Sequence, residues 1–377
     1  MSIAIALSGG GTRAAVFHLG VLNRLAQAGI LEGVSRLSTV SGGSIAAALV
    51  FCQNNHQWPT SAQYLERVFP DLQKLLTSID LFSASAVLAS PRQWRYLLNN
   101  RARLIVNLLE KRWGILGDLR SLPQSPLWLI NTTCVETGKN WRFAAGDMGD
   151  WKFGHHYAPP FSIAEAVAAS AAVPYVIGAL KLRMPEDKWY EIDPATDQPR
   201  RQISRLFETV ALWDGGAYEN LGLEPLYKQD RGMIGCEHVI VSDASAPLRL
   251  GRGDSPFAIL KGKLSSPRLF DIAADQIRSL RSRMFVQALK TKAASGAIIR
   301  LGNSVRDIDL QSGRSRDVAD YARFQVDAES ALALNYPTDL SRMTSEQFNR
   351  IARHGFEVAD ATLCHFCPQL APQSMTW

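Results

Sequence analysis

The apolar positions of the first 54 residues form two short runs with a longer periodic stretch between them. Ile3 to Leu7 and Leu37 to Val40 are runs typical of buried strands. From Val16 to Ala26 the apolar residues recur every three or four positions, which predicts a helix. Strand, helix and strand in this order predict a β-α-β unit with parallel strands. Both strand-to-helix turns then open at the same edge of a sheet.

Helical and extended patterns follow one another through the rest of the chain. Residues 60 to about 126 have mostly helical spacing and predict a helical insertion, which covers the core or serves as a lid. Residues from about 256 to 377 predict a second helical region, in which Thr344 to Gln347 is a capping box. The other predicted elements are strands at 127–135, 141–144, 209–213, 238–242 and 297–301, and helices at 44–52, at 162–172 and from about 223.

Length and composition predict one globular domain over residues 1–377. The chain is 46% hydrophobic, which is enough for a large core, and its ordinary composition excludes disordered and repeat proteins. The longest weakly charged run, Ile163 to Leu180, contains Glu165 and Pro174, so we expect a buried helix and turn there and no membrane span. The run Ile3 to Leu7 is too short for the apolar part of a signal peptide.

The cysteines bear on compartment and on metal binding. There are five, and an odd, scattered number does not make a disulfide framework, so with no export signal they indicate a reducing cytoplasm. Cys364, His365 and Cys367 offer at most three zinc ligands, and no second pair of cysteines accompanies them. We therefore expect no metal site.

The formal net charge of +6 is unevenly distributed. Arg92 to Arg112 holds six basic residues and one acidic residue, and Lys261 to Lys292 holds eight basic and two acidic. Such segments attract nucleic acid and anionic lipid surfaces alike, so charge alone does not choose between them. In the second segment one predicted helical face contains Ala273, Ala274, Ile277, Leu280, Met284 and Ala288, away from Arg278, Arg281 and Arg283.

The second strand-to-helix turn contains a candidate nucleophile, Ser41. A nucleophile elbow needs small residues around its serine because the turn crowds them. Gly42 and Gly43 meet this need, whereas Thr39 departs from the first glycine of G-x-S-x-G. Ser44 is a rival nucleophile, but it would lie one helical turn inside the following helix. Ser8 is predicted to be a turn residue.

A serine also needs a base to take its proton and donors to hold the oxyanion. The glycines 9–11 of the first turn offer backbone N–H groups beside Ser41. Asp214 ends the strand at 209–213 and precedes two glycines, so it reaches the same sheet edge as Ser41 if that strand is parallel. These residues together predict an acyl-transfer site.

The motifs Ser8-Gly-Gly-Gly-Thr-Arg13, Val40-Ser-Gly-Gly-Ser44 and Asp214-Gly-Gly216 resemble those of the patatin-like phospholipases, in the branch closer to cytosolic phospholipases. The resemblance covers about 1–54 and 126–245, and 336–363 more weakly. It implies an α/β three-layer sandwich with a mostly parallel central sheet. It also implies a serine–aspartate dyad that hydrolyses fatty acyl esters through an acyl-enzyme, with no metal, cofactor or histidine.

Carried onto this chain, the resemblance makes Ser41 the nucleophile and Asp214 the base. It implies an oxyanion hole formed by Gly10, Gly11 and Gly42. Arg13 would orient the glycine loop or an anionic headgroup. The remaining supporting residues are Gly9, Gly43, Gly215 and Gly216. The expected substrate is a membrane phospholipid or lysophospholipid, with the basic segments aiding peripheral contact with an anionic membrane; no nucleic-acid partner is expected.

Two other functions compete with this hypothesis. Gly9 to Ala14 also fits G-x-G-x-x-A of a dinucleotide-binding fold, but the second strand ends in Val40 to Gly43 and lacks the acidic residue that holds the ribose. A catalytically idle, membrane-binding scaffold would not need nucleophile, aspartate and glycine loop together. A histidine would turn the dyad into a triad; we expect His18 to be a core helix residue and the pair His155-His156 to lie in a loop.

Overall fold

The computed structural model describes residues 1–81, 101–174, 177–193, 198–246, 248, 267–313, 321, 324, 333–337 and 342–377. The helices are α1 Gly11–Gln27, α2 Gly42–Gln53, α3 Ser61–Gln63, a π-helix at Tyr64–Val68, α4 Phe69–Ser78, α5 Arg101–Trp113, α6 Ile163–Ser170, α7 Pro267–Lys290, α8 Val305–Gln311 and α9 Ser345–Phe366. Single turns of 3-10 helix lie at Leu31–Gly33, Leu119–Ser121 and Gly215–Ala217. The strands are β1 Ile3–Leu7, β2 Val34–Val40, β3 Leu127–Cys134, β4 Asn140–Phe143, β5 Asp147–Asp150, β6 Gly154–Tyr157, β7 Leu180–Arg183, β8 Trp189–Ile192, β9 Pro199–Ile203, β10 Thr209–Asp214, β11 Tyr227–Lys228, β12 Gly232–Met233, β13 His238–Asp243 and β14 Gly296–Arg300.

One sheet of twelve strands has a parallel and an antiparallel part. Strands β14, β13, β1, β2 and β3 lie in this order and are parallel, because helical crossovers join most of them. From β3 onward, β4, β5, β6, β8 and β9 continue the sheet as antiparallel neighbours, since short turns connect most of them. The predicted α/β class is confirmed as a mixed sheet flanked by helices, with a larger antiparallel part than the sequence indicates.

Helices cover both faces of the parallel part. Successive side chains of a strand point to opposite faces, and along β1 Ile3 and Ile5 belong to one buried cluster while Ala4 and Ala6 belong to another. The first cluster includes α1, α2, α6 and α9, and the second includes Phe285 of α7. This arrangement gives the predicted three layers.

Three sequence predictions need correction. The helix expected from about 223 is replaced by turns and the small antiparallel pair β11–β12. The predicted face of α7 is also wrong in part, because Leu280 is 58% exposed whereas Phe285 is fully buried. His155 and His156 lie in β6, not in a loop. The predicted insertion is helical in α3, α4 and α5, while its residues 82–100 lie outside the described residues, as do 261–266 of the second basic segment.

The register on β3 decides where the functional residues meet. Both β2 and β10 overlap the part of β3 that pairs with β4, so both occupy the edge of β3 opposite β4. There β2 runs parallel to β3 and ends with Val40 opposite Asn131. β10 runs antiparallel to β3 and ends with Asp214 opposite Thr132. The carboxyl ends of β2 and β10 therefore meet head on.

Candidate active site

Ser41 occupies a strained turn between β2 and α2. Its φ is 51° and its ψ is −115°, a conformation that residues with a side chain rarely adopt and that is concentrated at functional sites. The next two positions tolerate no side chain: a Cβ at Gly42 would lie 2.3 Å from the Gly11 oxygen, and one at Gly43 would lie 2.3 Å from the Leu7 oxygen. The two glycine turns are therefore packed directly against each other.

Thr39 occupies the position of the first glycine of G-x-S-x-G, and the turn accommodates its side chain. Its side chain is fully buried, and its Oγ1 accepts a hydrogen bond of 2.9 Å from the Trp128 indole. The same oxygen lies 2.8 Å from Ser44 Oγ. Ser44 is itself fully buried and also contacts Ser170 Oγ at 2.8 Å. Its hydroxyl is therefore occupied in the interior, which removes it as a rival nucleophile.

The glycine loop presents backbone N–H groups to the same place. Gly10 has a φ of 144° and Gly11 of 65°, and α1 and α2 begin at Gly11 and Gly42. Within the described residues, the N–H groups of Gly10, Gly11 and Gly42 have no hydrogen-bond acceptor. Two helix N-termini thus direct free donors and positive dipole ends at one point, which suits an anion.

Ser8 joins the two turns through its backbone. Its carbonyl oxygen accepts a hydrogen bond from the Gly43 N–H at 3.1 Å and one from His18 Nε2 at 2.9 Å. Its hydroxyl accepts from the Ala244 N–H at 2.7 Å. Burial lowers the pKa of His18 to about 4, so this imidazole is neutral. His18 is a core residue, as expected, and it contacts the glycine loop through its hydrogen bond to Ser8.

Asp214 faces Ser41 from the end of β10. Its carboxylate accepts a hydrogen bond from the Gly216 N–H at 2.7 Å. Burial raises the pKa of Asp214 to about 6, while the Gly216 N–H and a side-chain hydrogen bond with Ser41 act in the opposite direction. Among the described residues no basic side chain forms an ion pair with Asp214. The carboxylate is therefore buried without a counter-charge, as expected of a general base.

Two glycines after Asp214 allow close packing around the carboxylate. A Cβ at Gly215 would lie 2.5 Å from the Asn131 oxygen, and one at Gly216 would lie 2.6 Å from Asn220 Oδ1. The same Oδ1 would lie 2.3 Å from a Cβ at Gly9. Asn220 therefore fits between the aspartate turn and the glycine loop, and no spacing pattern in the sequence marks it.

Arg13 braces the loops around the site. Its side chain is buried, and its guanidinium donates hydrogen bonds to the carbonyl oxygens of Ala244, Leu334 and Tyr336 at 3.1 to 3.3 Å. Of the two roles implied for Arg13, these contacts favour orientation of the glycine loop. They also join the N-terminal turn to residues more than 230 positions away.

The histidines lie elsewhere. His155 Nδ1 is 2.7 Å from Asp147 Oδ2, and His156 packs its ring against Trp189. All seven histidines fall within the described residues, and none of them is a hydrogen-bond partner of Ser41 or Asp214. The hydrogen bond between the Ser41 and Asp214 side chains therefore involves no histidine.

The basic segments are partly neutralised in the fold. Arg278 contacts Asp243 at 3.2 Å and Asp275 at 3.0 Å, and Arg281 contacts Glu224 at 2.7 Å. Arg283 and Lys290 are exposed on α7, together with Leu269 and Leu280. No helix among the described residues is long and apolar enough to cross a membrane.

A protein-family model matches the part of the chain that contains the candidate site. The model of the Patatin-like phospholipase family matches residues 5–227, more than half of the chain, and this range contains Ser41 and Asp214. A comparison with curated proteins gave no match.

Solved structures of a human enzyme are similar in fold. Human GIVD cytosolic phospholipase A2 is 15% identical with a TM-score of 0.54, over 95% of this chain and 60% of that one. The same human enzyme in complex with methyl gamma-linolenyl fluorophosphonate is 18% identical with a TM-score of 0.53, over 95% of this chain and 56% of that one. The chain thus spans less than two thirds of the length of these structures, and at such identities the likeness shows the fold alone.

Proposed function

Since the chain belongs to the patatin-like phospholipase family, we propose that it is a serine acyl hydrolase that cleaves fatty acyl esters of membrane phospholipids or lysophospholipids. Family membership supports the coarser statement, a lipid hydrolase. The observation that carries the finer one is the strained turn at Ser41, which faces a buried carboxylate on one side and free N–H groups on the other. Nucleophile, base and oxyanion donors are the three parts that acyl transfer requires.

The first half of the reaction forms an acyl-enzyme. Asp214 takes the proton of the Ser41 hydroxyl while the oxygen attacks the ester carbonyl. The resulting oxyanion accepts hydrogen bonds from the N–H groups of Gly10, Gly11 and Gly42, at the positive ends of α1 and α2. When the intermediate collapses, the bond to the leaving alcohol breaks and the alcohol takes the proton from Asp214. The acyl group stays on Ser41 as an ester.

Water completes the cycle with the same groups. Asp214 removes a proton from water as it attacks the acyl ester, and the same donors hold the second oxyanion. Collapse releases the fatty acid and returns the proton to Ser41. A pKa of about 6 suits this role, because the carboxylate is mostly ionised at neutral pH yet is a stronger base than an ordinary aspartate.

We also propose a cytoplasmic enzyme in peripheral contact with anionic membranes. The exposed Arg283 and Lys290 of α7 can attract an anionic surface, and the exposed Leu269 and Leu280 can enter its interface. All five cysteines are free thiols, which supports a reducing compartment. Co-sedimentation with anionic and neutral vesicles over a salt series tests the contact; binding indifferent to both lipid charge and salt would remove this role from α7.

The central experiment compares four variants on mixed phospholipid vesicles, with released fatty acid measured by mass spectrometry. Ser41→Ala and Asp214→Asn should abolish release. Ser35→Ala, at the opposite end of β2, and Asp147→Asn, beside His155, are matched controls and should keep it. Equal release from all variants would refute the assignment and would leave the idle scaffold, or the dinucleotide-binding alternative, as the better hypothesis.

A further inference from the structure

A continuous chain of hydrogen bonds lies buried beneath the proposed nucleophile. It runs from the Trp128 indole to Thr39 Oγ1 at 2.9 Å, then to Ser44 Oγ at 2.8 Å and to Ser170 Oγ at 2.8 Å. Ser170 Oγ donates to the Asn131 carbonyl oxygen at 2.7 Å. All five residues are at most 2% exposed. The chain crosses β3, β2, α2 and α6 and returns to β3.

Elementary chemistry fixes the direction of every bond in this chain. An indole N–H can only donate and a carbonyl oxygen can only accept, whereas each hydroxyl carries one hydrogen. Ser170 gives its hydrogen to Asn131, so Ser44 must donate to Ser170, and Thr39 must then donate to Ser44. The last acceptor site of Ser170 Oγ is filled by the backbone N–H of Ser41, at 2.9 Å. The chain therefore ends on the nucleophile's own backbone.

The C-terminal end of α6 also holds the proposed base. The Asp214 N–H donates to the carbonyl oxygen of Ala172 at 2.9 Å. Ala172 lies two residues after Ser170, which accepts from Ser41. One short segment thus anchors the backbone of both members of the pair, although Ser41 and Asp214 come from different strands.

We propose that Ser170 to Ala172 is a positioning segment that sets the separation of Ser41 and Asp214, and that Thr39 replaces the elbow glycine because its hydroxyl supports this segment. The inference rests on the proposed acyl hydrolase function. A non-glycine residue at positive φ persists only where its surroundings hold it. The Ser170 hydroxyl supplies that restraint, and Thr39 and Ser44 orient the hydroxyl. None of these three side chains reaches the acyl ester, so they are positioning residues.

The test uses a pair of variants at each end of the chain. Thr39→Val keeps the shape of the side chain and removes its hydroxyl, whereas Thr39→Ser keeps the hydroxyl. Ser170→Ala removes the acceptor of the Ser41 N–H. We expect Thr39→Val and Ser170→Ala to lower kcat by about tenfold to a hundredfold, because small displacements of a nucleophile cost rates of this order, with KM unchanged. Thr39→Ser should retain most of the wild-type kcat.

Tyr64→Phe is the matched control for loss of a buried hydroxyl. Tyr64 is fully buried and its hydroxyl donates to the Leu19 oxygen at 2.8 Å. Leu19 lies about 12 Å along α1 from the glycine loop, at about 1.5 Å per helical residue. Tyr64→Phe should lower the melting temperature about as much as Ser170→Ala and leave kcat unchanged. A fall of kcat in Tyr64→Phe equal to that in Ser170→Ala would make the effect one of general stability and overturn the proposal.

A second readout follows the nucleophile directly. The rate at which an alkyl fluorophosphonate labels Ser41, measured by intact-protein mass, should fall in step with kcat in Thr39→Val and Ser170→Ala. The double variant should lose no more than the more affected single variant, because both act through one chain. Wild-type kcat and labelling in both single variants, with Ser41→Ala inactive, would overturn the positioning role alone. An active Ser41→Ala enzyme would instead refute the proposed function beneath it.

Discussion

Asp214 and Asp360 are both almost completely buried, and their surroundings differ in kind. Asp360, on α9, accepts hydrogen bonds from Arg24 at 2.6 Å, from the Ser374 hydroxyl at 2.6 Å and from the Met375 N–H at 2.9 Å. Asp214 has the Gly216 N–H and the Ser41 side chain, and no cation among the described residues. Both carboxylates are shielded from water, but among the described residues only Asp360 of the two forms an ion pair.

The difference separates a carboxylate that stabilises from one that can react. Asp360 joins α1, α9 and the C-terminal residues into one unit, and its lone pairs are engaged. The unbalanced burial of Asp214 raises its pKa to about 6 and leaves it able to accept a proton. Buried charge without a partner costs stability, so the candidate site is expected to lower the stability of the fold that carries it.

The largest effect is expected at the paired aspartate. Asp360→Ala leaves the Arg24 guanidinium, which is fully buried, without its carboxylate. Loss of one partner of a buried ion pair typically costs about 3–5 kcal/mol of unfolding free energy. Urea unfolding followed by circular dichroism measures it. Asp147→Ala, which removes a partly exposed carboxylate beside His155, is the control and should cost about 1 kcal/mol or less; equal costs would contradict the comparison.

Substitution of the unpaired aspartate, Asp214, should raise the unfolding free energy instead of lowering it. Asp214→Asn removes the desolvated charge, so this inactive variant should be more stable than wild type at pH 7.5, by up to about 3 kcal/mol for a pKa raised from 3.8 to about 6. The pKa of Asp214 is higher in the native state than the unfolded value of 3.8. Its burial therefore costs no unfolding free energy below pH 4, where the carboxyl is protonated in both states, and the cost grows as the pH rises to about 6. The two proteins should therefore unfold alike at pH 4. A variant less stable than wild type at pH 7.5 would show that the carboxylate is balanced by contacts of its own.

The pH dependence of turnover should report the same shift. Asp214 can act as a base only when ionised, so kcat/KM should fall about tenfold per pH unit below an inflection near pH 6. The measurement is fatty acid release on neutral vesicles, whose surface charge does not change over this range. An inflection near 4, the value of an ordinary aspartate, would mean that Asp214 is solvated in the working enzyme.

The smallest effect is expected at the edge of the paired cluster. Ser374→Ala removes one of the hydrogen-bond donors to Asp360 and leaves its ion pair with Arg24 in place. The Ser374 side chain is at the surface, where water can replace the lost donor, so we expect a loss of about 1 kcal/mol. Thr376→Ala, at an exposed neighbouring position, serves as the control in the same unfolding assay. A loss as large as that of Asp360→Ala would show that the ion pair depends on the hydroxyl.

Where parts of the candidate site are close in the chain, local sequence patterns indicated which residues the structure brings together. The glycine turn and Ser41 follow from one β-α-β unit, whose parallel strands and short turns leave few alternatives. Asp214 was identified by its glycines, but the sequence placed it beside Ser41 only on the condition of a parallel strand, and that condition is not met. β10 is antiparallel to β3 and meets β2 head on. Pairing between distant strands depends on which edges remain free, and no periodicity records that.

Side-chain partners were harder to predict than elements. The basic residues of 261–292 do not reveal their partners: Arg278 forms an ion pair with Asp243, and Arg281 forms one with Glu224. Likewise the face of α7 was misassigned at Leu280, because an apolar residue on a two-sided helix can lie on either side. Ser170 lies in a run of alanines that predicts close packing, but nothing in the run distinguishes its hydroxyl as a partner of Ser41.

The sequence by itself determined the α/β class, the two glycine turns and the identity of Ser41 and Asp214 as the candidate pair. The fold class follows from the periodicity of apolar residues, and the turns and the pair follow from motifs of a few residues each. The tertiary structure alone decided how the pair meets, why Thr39 fits the turn and why Asp214 has a raised pKa. Each of these depends on atoms brought from remote parts of the chain, and desolvation and hydrogen-bond geometry exist only once those parts are packed together.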